Sequence, residues 1–106
     1  MMINKEISKV VELVQEQCHP KLIILFGSQA EGKAANDSDI DIMIVENGNI
    51  NKYQETLKIY DILRPLKLPI DVIVVDDETF NYWLDVPGNV YYEAFNYGKV
   101  LYKEAA

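Results

Sequence analysis

Cysteine and histidine are almost absent from this sequence, which contains one of each among its 106 residues. A single cysteine cannot form an internal disulfide, and Cys18 and His19 are too few to build a zinc site from cysteine and histidine. No apolar run approaches the roughly 20 residues that a membrane-spanning helix needs. The first residues also lack the basic-then-apolar order of a signal peptide, so the sequence predicts a cytoplasmic protein.

Basic residues are also scarce, because 10 of them stand against 17 acidic residues and leave a formal net charge of −7. Proteins that grip nucleic acids do so mainly with lysine and arginine, so direct binding of a nucleic acid is disfavoured. A hydrophobic fraction of 49% in 106 residues suits one compact core. We therefore expect one domain over residues 1–106.

Apolar periodicity divides the chain into alternating strands and helices. Short apolar runs predict buried strands, and the last run predicts an edge strand; these are residues 21–26, 40–45, 70–75 and 99–102. Helical spacing of apolar residues marks four further segments, which are residues 7–18, 51–64, 80–84 and 90–97. The predicted fold class is α/β (α+β), with a mixed β-sheet of three to four strands flanked by helices.

Acidic residues stand at the beginning of two predicted strands. Side chains alternate along a strand, so Asp39 and Asp41 point to the same face, roughly 6.5 Å apart along the backbone. If the strand at residues 70–75 is their neighbour, Asp71 joins them at the usual strand spacing of about 5 Å. Three such carboxylates repel one another unless a cation intervenes, and Mg²⁺ prefers oxygen ligands. The pattern therefore predicts a magnesium site.

A Gly-Ser turn follows the first predicted strand. Gly27 and Ser28 offer backbone N–H groups and a hydroxyl, which suit a triphosphate held beside the metal. Lys33 could touch a phosphate, although a loop lysine is more often simply solvated. An Asp-Ser-Asp sequence is by itself often only a turn, but the combination of strand, Gly-Ser, spaced aspartates and a further strand-borne aspartate favours a nucleotide and metal site.

Two rival motifs overlap this stretch and fail. Residues 27–33 match the first seven positions of a P-loop, but Ala34 replaces the required Ser or Thr, and no long helix follows. The spaced aspartates also imitate an EF-hand calcium loop. There Ile42 stands where the loop needs glycine, and Gly48 stands where it needs its final glutamate.

The run GSQAEGKAANDSDIDIMIV, together with Asp71, resembles the polymerase-beta-type nucleotidyltransferase superfamily. Its small size and the closing segment at residues 91–102 resemble the minimal nucleotidyltransferases (MNT), many of which are antitoxins paired with HEPN-domain ribonuclease toxins. Members of that group often carry arginines within the Gly-Ser turn, where this sequence has Gln29 and Glu31. The resemblance covers most of the chain and implies the nucleotidyltransferase fold.

The resemblance also implies a reaction and a partner. AMP would pass from ATP to a hydroxyl, most plausibly a tyrosine, of a HEPN toxin that forms a hetero-oligomer with this chain. Asp39 and Asp41 would hold two Mg²⁺ ions, and Asp71 would ligate the second ion or accept the proton. Gly27 and Ser28 would position the triphosphate.

Two other functions stay open at the level of sequence. The chain could neutralise a toxin by occlusion, without catalysis, and five aromatic residues in the last third could contribute to such a surface; these are Tyr82, Trp83, Tyr91, Tyr92 and Tyr97. It could also adenylylate a small molecule, as the aminoglycoside-modifying relatives do. Those relatives use an additional helical domain to complete the acceptor site, and 106 residues leave no room for one.

Overall fold

A computed structural model of the protein describes residues 3–27 and 39–105, without the side chains of residues 3 and 4. Four α-helices and four strands follow one another in these ranges. Their order is α1 (Ile3–Gln17), β1 (Pro20–Phe26), β2 (Ile40–Glu46), α2 (Lys52–Leu63), β3 (Ile70–Asp76), α3 (Asp77–Trp83), α4 (Val90–Tyr97) and β4 (Lys99–Lys103). All eight segments were predicted from apolar periodicity, and their bounds agree closely.

The four strands form one mixed sheet in the order β3-β2-β1-β4. β1 pairs antiparallel with both β2 and β4, whereas β2 pairs in parallel with β3. A parallel pair needs a crossover connection, and α2 supplies it between β2 and β3. The predicted fold class, an α+β domain with a mixed sheet flanked by helices, is therefore confirmed.

Helices cover both faces of the sheet because the central strands are apolar on both sides. The first hydrophobic core packs α1 and α2 against one face, where β2 contributes Ile40, Ile42 and Ile44. The second core packs α3 and α4 against the other face, where β2 contributes Met43 and Val45. A central strand buried on both faces in this way is held firmly in place.

Side-chain caps define where three of the helices begin. Asn51 and Asn89 accept hydrogen bonds from the N–H groups of Gln54 and Tyr92, each at 3.0 Å. Asp76 caps α3, and its side chain accepts a hydrogen bond from the N–H group of Thr79. α2 ends at Leu63 and is followed by a 3-10 turn at Arg64–Leu66, which contains Pro65.

Within the described part of the chain, no helix is both long enough and apolar enough to cross a membrane.

Candidate active site

The turn after β1 lies against a carboxylate of β2. Phe26, the last residue of β1, pairs with Asp41 in the antiparallel ladder, and Gly27 then turns the chain at a φ of 77°. For residues other than glycine, this left-handed conformation costs about 1 kcal/mol or more in conformational free energy. A Cβ atom at Gly27 would also collide with Oδ2 of Asp41. Glycine is therefore required here both by the backbone and by the neighbouring carboxylate.

Asp41 and Asp71 lie side by side on neighbouring strands. They are direct partners in the parallel ladder between β2 and β3, so their side chains leave the same face of the sheet. Asp39, which is exposed, precedes β2, and its carboxyl lies close enough to that of Asp71 to affect the pKa of Asp71. The N–H group of Ile40 donates to the carbonyl oxygen of Pro69 at 2.7 Å, which joins the beginnings of the two strands.

The three carboxylates disfavour one another's negative charge. Partial burial, followed by the charges of Asp71 and Asp39, raises the pKa of Asp41. Desolvation, followed by the neighbouring Asp39 carboxyl, raises the pKa of Asp71. Excess negative charge that is partly removed from water is a setting that a bound cation would relieve. The donor set consists of hard carboxylate oxygens, so it fits Mg²⁺ and does not fit a thiolate-preferring metal.

The residues predicted as a site divide into two groups. The structure brings Gly27, Asp39, Asp41 and Asp71 together at one end of the sheet. Ser28, predicted to bind the triphosphate, lies outside the described residues, as does Lys33. The roles of all these side chains remain predictions.

Sequence patterns did not predict a polar cluster formed by Cys18, Glu46 and Glu55. Glu46 ends β2 at the opposite end from Asp41 and is buried, with 5% of its surface exposed. Its place on the same alternation as Ile40, Ile42 and Ile44 is the signal that could have revealed it, because that alternation points into the core. A buried glutamate at such a position needs a partner.

Most of the chain matches a known protein family. The family described as "Polymerase beta, Nucleotidyltransferase" matches residues 8–106. The mixed sheet and its flanking helices are thus those of a nucleotidyltransferase. The chain belongs to the polymerase beta nucleotidyltransferase family, as the Gly-Ser and spaced-aspartate pattern indicated. No curated protein sequence matches it.

Solved structures share the fold at low sequence identity. A Sulfolobus solfataricus protein assigned as a nucleotidyltransferase is 22% identical, with a TM-score of 0.68 over 94% of this chain and 79% of that one. A toxin–antitoxin crystallised with AMP-PNP is 24% identical, with a TM-score of 0.59 over 92% and 73%. A mutant of the MntA-HpeT toxin–antitoxin is 26% identical, with a TM-score of 0.53 over 92% and 72%.

Proposed function

We propose that this protein is an antitoxin that transfers AMP from ATP to a hydroxyl, on a tyrosine, of a partner HEPN-domain ribonuclease toxin. The observation that carries the proposal is the pairing of Asp41 with Asp71 beside Gly27, in a chain of the nucleotidyltransferase family. Two toxin–antitoxin structures of similar fold support a toxin as the partner.

Mg²⁺ suits this site because the available ligands are hard and negatively charged. Asp39 and Asp41 would hold two Mg²⁺ ions, with Asp71 completing the set. When bound, the ions neutralise phosphate charge and activate the attacking hydroxyl. Burial and neighbouring carboxyls raise the pKa values of Asp41 and Asp71, so this cluster disfavours its own negative charge.

The chain's own residues position the reaction. The acceptor oxygen forms a bond to the α-phosphorus of ATP while the bond from that phosphorus to the pyrophosphate oxygen breaks. Asp71 is exposed beside Asp41 and either completes the metal ligands or accepts the hydroxyl proton. Gly27, which lacks a side chain, leaves space for the triphosphate beside Asp41, and Ser28 would hold that triphosphate with it. Alignment then supplies most of the acceleration.

The proposal is tested by mass. The proposed partner, a HEPN-domain toxin, is incubated with the protein, ATP and Mg²⁺, and its intact mass is measured with wild type, Asp41→Asn and Asp71→Asn. Asp61→Asn is the matched control, because Asp61 is an exposed aspartate of α2 whose ion pair with Arg64 lies outside the site. We expect the toxin to gain one or more AMP units with wild type and the control only.

Neutralisation of the toxin by occlusion is the second candidate. It is favoured by large exposed apolar side chains on and around α3 and α4, which are Tyr82, Trp83, Val86, Phe95 and Tyr97. An unchanged toxin mass, together with equal neutralisation by wild type and Asp41→Asn, would overturn the enzymatic proposal in favour of this one. Transfer of AMP to a small molecule and not to the toxin would overturn both.

A further inference from the structure

A second polar cluster lies at the end of the sheet away from the aspartates. Cys18 follows α1, Glu46 ends β2, and Glu55 lies in the first turn of α2. The three side chains line an open cleft of about 280 Å³. Glu46 lies five positions after Asp41 along β2, so the two residues are about 16 Å apart. The cluster is therefore distinct from the candidate active site.

The ligand-bearing atoms of this cluster converge. The Cys18 sulfur and one carboxylate oxygen each from Glu46 and Glu55 all lie within 4.8 Å of one another. Cys18 and Glu46 are buried, and Glu55 is half-buried at the mouth of the cleft. Three protein ligands from three different elements, with an opening to solvent, match the arrangement of a tetrahedral metal site that keeps one position for water.

Glu46 provides an independent observation that points to a ligand. Only 5% of its surface is exposed, and its Oε2 atom is buried without a hydrogen-bond partner among the described residues. A buried polar atom without a partner costs free energy, so such atoms are normally paired with protein, water or an ion. The nearest acidic neighbours, Glu55 and Cys18, supply no positive charge.

The cluster resists negative charge in the absence of a cation. Burial, reinforced by the neighbouring Glu55 carboxyl, raises the pKa of Glu46 to about 7. Burial also raises the pKa of the Cys18 thiol to about 11.

We propose that Cys18, Glu46 and Glu55 bind one divalent transition-metal ion of the Zn²⁺ class, with water in the fourth position. The thiolate decides the class, because Zn²⁺ and Co²⁺ accept sulfur whereas Mg²⁺ selects oxygen. The ion would join the end of α1, the end of β2 and the first turn of α2. It would thereby cross-link three elements of the fold, and it does not depend on the proposed transfer of AMP.

Two of the other residues that line the same cleft, Lys58 and His19, carry basic side chains. Lys58 is exposed on α2, and its positive charge lowers the pKa values of Cys18 and Glu46. It partly compensates the acidic cluster when no ion is bound, and it opposes a bound cation. His19 is exposed on the rim. Sequence reasoning excluded zinc on the count of cysteine and histidine, and carboxylates from two other elements supply what that count lacked.

Binding of Co²⁺ by a thiolate produces an absorption band that binding to the aspartates of the candidate active site cannot produce. Co²⁺ is titrated into the metal-free protein, and the sulfur-to-cobalt charge-transfer absorption in the near ultraviolet is followed. Cys18 is the only cysteine, so this absorption reports only on this site. We expect a saturable band that Zn²⁺ abolishes by displacement and that Mg²⁺ leaves unchanged. Asp41→Asn, which alters only the other end of β2, should keep the band in full.

Variants of the cluster separate a built site from simple binding to a thiol. Cys18→Ser removes the band, and Glu55→Gln, a mild change at a half-buried helix position, weakens Co²⁺ binding by about tenfold or more. Lys58→Gln strengthens it, because a repelling charge is lost. No band at saturating Co²⁺, or equal affinity in Glu55→Gln and wild type, would overturn the proposal. Circular dichroism of each metal-free variant verifies the fold.

Discussion

Gly27 lies so close to Asp41 that a methyl group at position 27 would collide with the carboxylate oxygen Oδ2. The same glycine has a φ of 77°. The backbone conformation and the space available for a side chain therefore both require glycine at position 27. The two requirements can be separated because another glycine, Gly88, has a φ of 96° but no atom within 4 Å of a Cβ built on it.

Gly27→Ala is expected to lose both stability and activity, whereas Gly88→Ala loses stability alone. Each substitution places alanine in the left-handed region, at a cost of about 1–2 kcal/mol. Only the substitution at position 27 also displaces the Asp41 side chain. Denaturant unfolding and the AMP-transfer assay measure the two effects. Full activity in Gly27→Ala would show that the position of Asp41 does not matter.

Neutralising one of the crowded carboxylates should stabilise the protein when no divalent cation is present. Asp71→Asn removes a charge that Asp41 feels directly, and we expect a gain of less than about 1 kcal/mol because Asp71 is exposed. Mg²⁺ should raise the melting temperature of wild type more than that of the variant. Asp61→Asn, which breaks the exposed pair with Arg64, should show neither effect.

The cap of α3 should make stability depend on pH. Asp76 accepts hydrogen bonds from the N–H and hydroxyl of Thr79 at 2.9 and 2.7 Å, and these bonds lower its pKa from 3.8, with a smaller contribution from Lys52. A lowered carboxyl pKa stabilises the fold above the unfolded pKa, and this contribution disappears as pH falls through the folded pKa. Asp76→Ala should therefore cost about 1 kcal/mol at neutral pH and progressively less below about pH 4.

Asn51→Ala is the matched control for that pH dependence. Asn51 caps α2 through a hydrogen bond of 3.0 Å from the Gln54 N–H, and its amide does not titrate. The cost of removing it should be similar, about 1 kcal/mol, and constant with pH. Urea unfolding at pH 7 and at pH 3.5 compares the two variants. A constant cost for Asp76→Ala would contradict the assignment of the charged cap.

Gly98→Ala should destabilise the fold without any backbone strain. A Cβ atom at this position would lie 2.7 Å from both the Leu25 carbonyl oxygen and the Ile24 Cγ2, because the end of α4 presses against β1. Overpacking of this kind costs about 1–3 kcal/mol. At Gly48 the nearest atom is 3.8 Å away, so Gly48→Ala should change stability by less than about 0.5 kcal/mol. Thermal unfolding measures both.

The exposed aromatic residues offer a test of partner binding. Tyr82 is 71% exposed on α3, and Tyr53 is 73% exposed on α2. If the surface around α3 and α4 binds the proposed toxin, Tyr82→Ala should weaken the complex by about 1 kcal/mol or more, and Tyr53→Ala should not. Calorimetric titration with the toxin provides the comparison. Equal affinities for both variants would assign the interface to another face.

Apolar periodicity predicted the strands and helices because each one has a strong pattern and a clear boundary. α1 ends at Gln17, and Pro20 begins β1. Gly98 caps the end of α4. Strand alternation also placed Ile40 and Asp41 on opposite faces. Sequence alone could not establish that Asp71 lies beside Asp41. That contact requires β3 to pair with β2, and pairing between distant segments depends on how α2 crosses the sheet.

The cluster of Cys18, Glu46 and Glu55 could not be predicted from local sequence patterns, because it also depends on contacts between segments that are distant in sequence. Cys18 and His19 were judged by the count of cysteine and histidine in the sequence, which is too small for a zinc site. Glu55 lies in a segment that was interpreted from its apolar residues alone. Their convergence needs α1 and α2 to pack on the same face of the sheet, and that packing is a property of the tertiary fold.

β2 carries the candidate active site at its beginning, and it is hydrogen-bonded on both edges and apolar on both faces. Its amide hydrogens should therefore exchange with solvent only when the whole protein unfolds. The position of Asp41 is then as durable as the native state itself, whereas Asp71 lies on the edge strand β3, which is hydrogen-bonded to β2 alone in the sheet. Control over Asp41 by a bound partner would have to act through access to its carboxylate, since β2 cannot loosen independently.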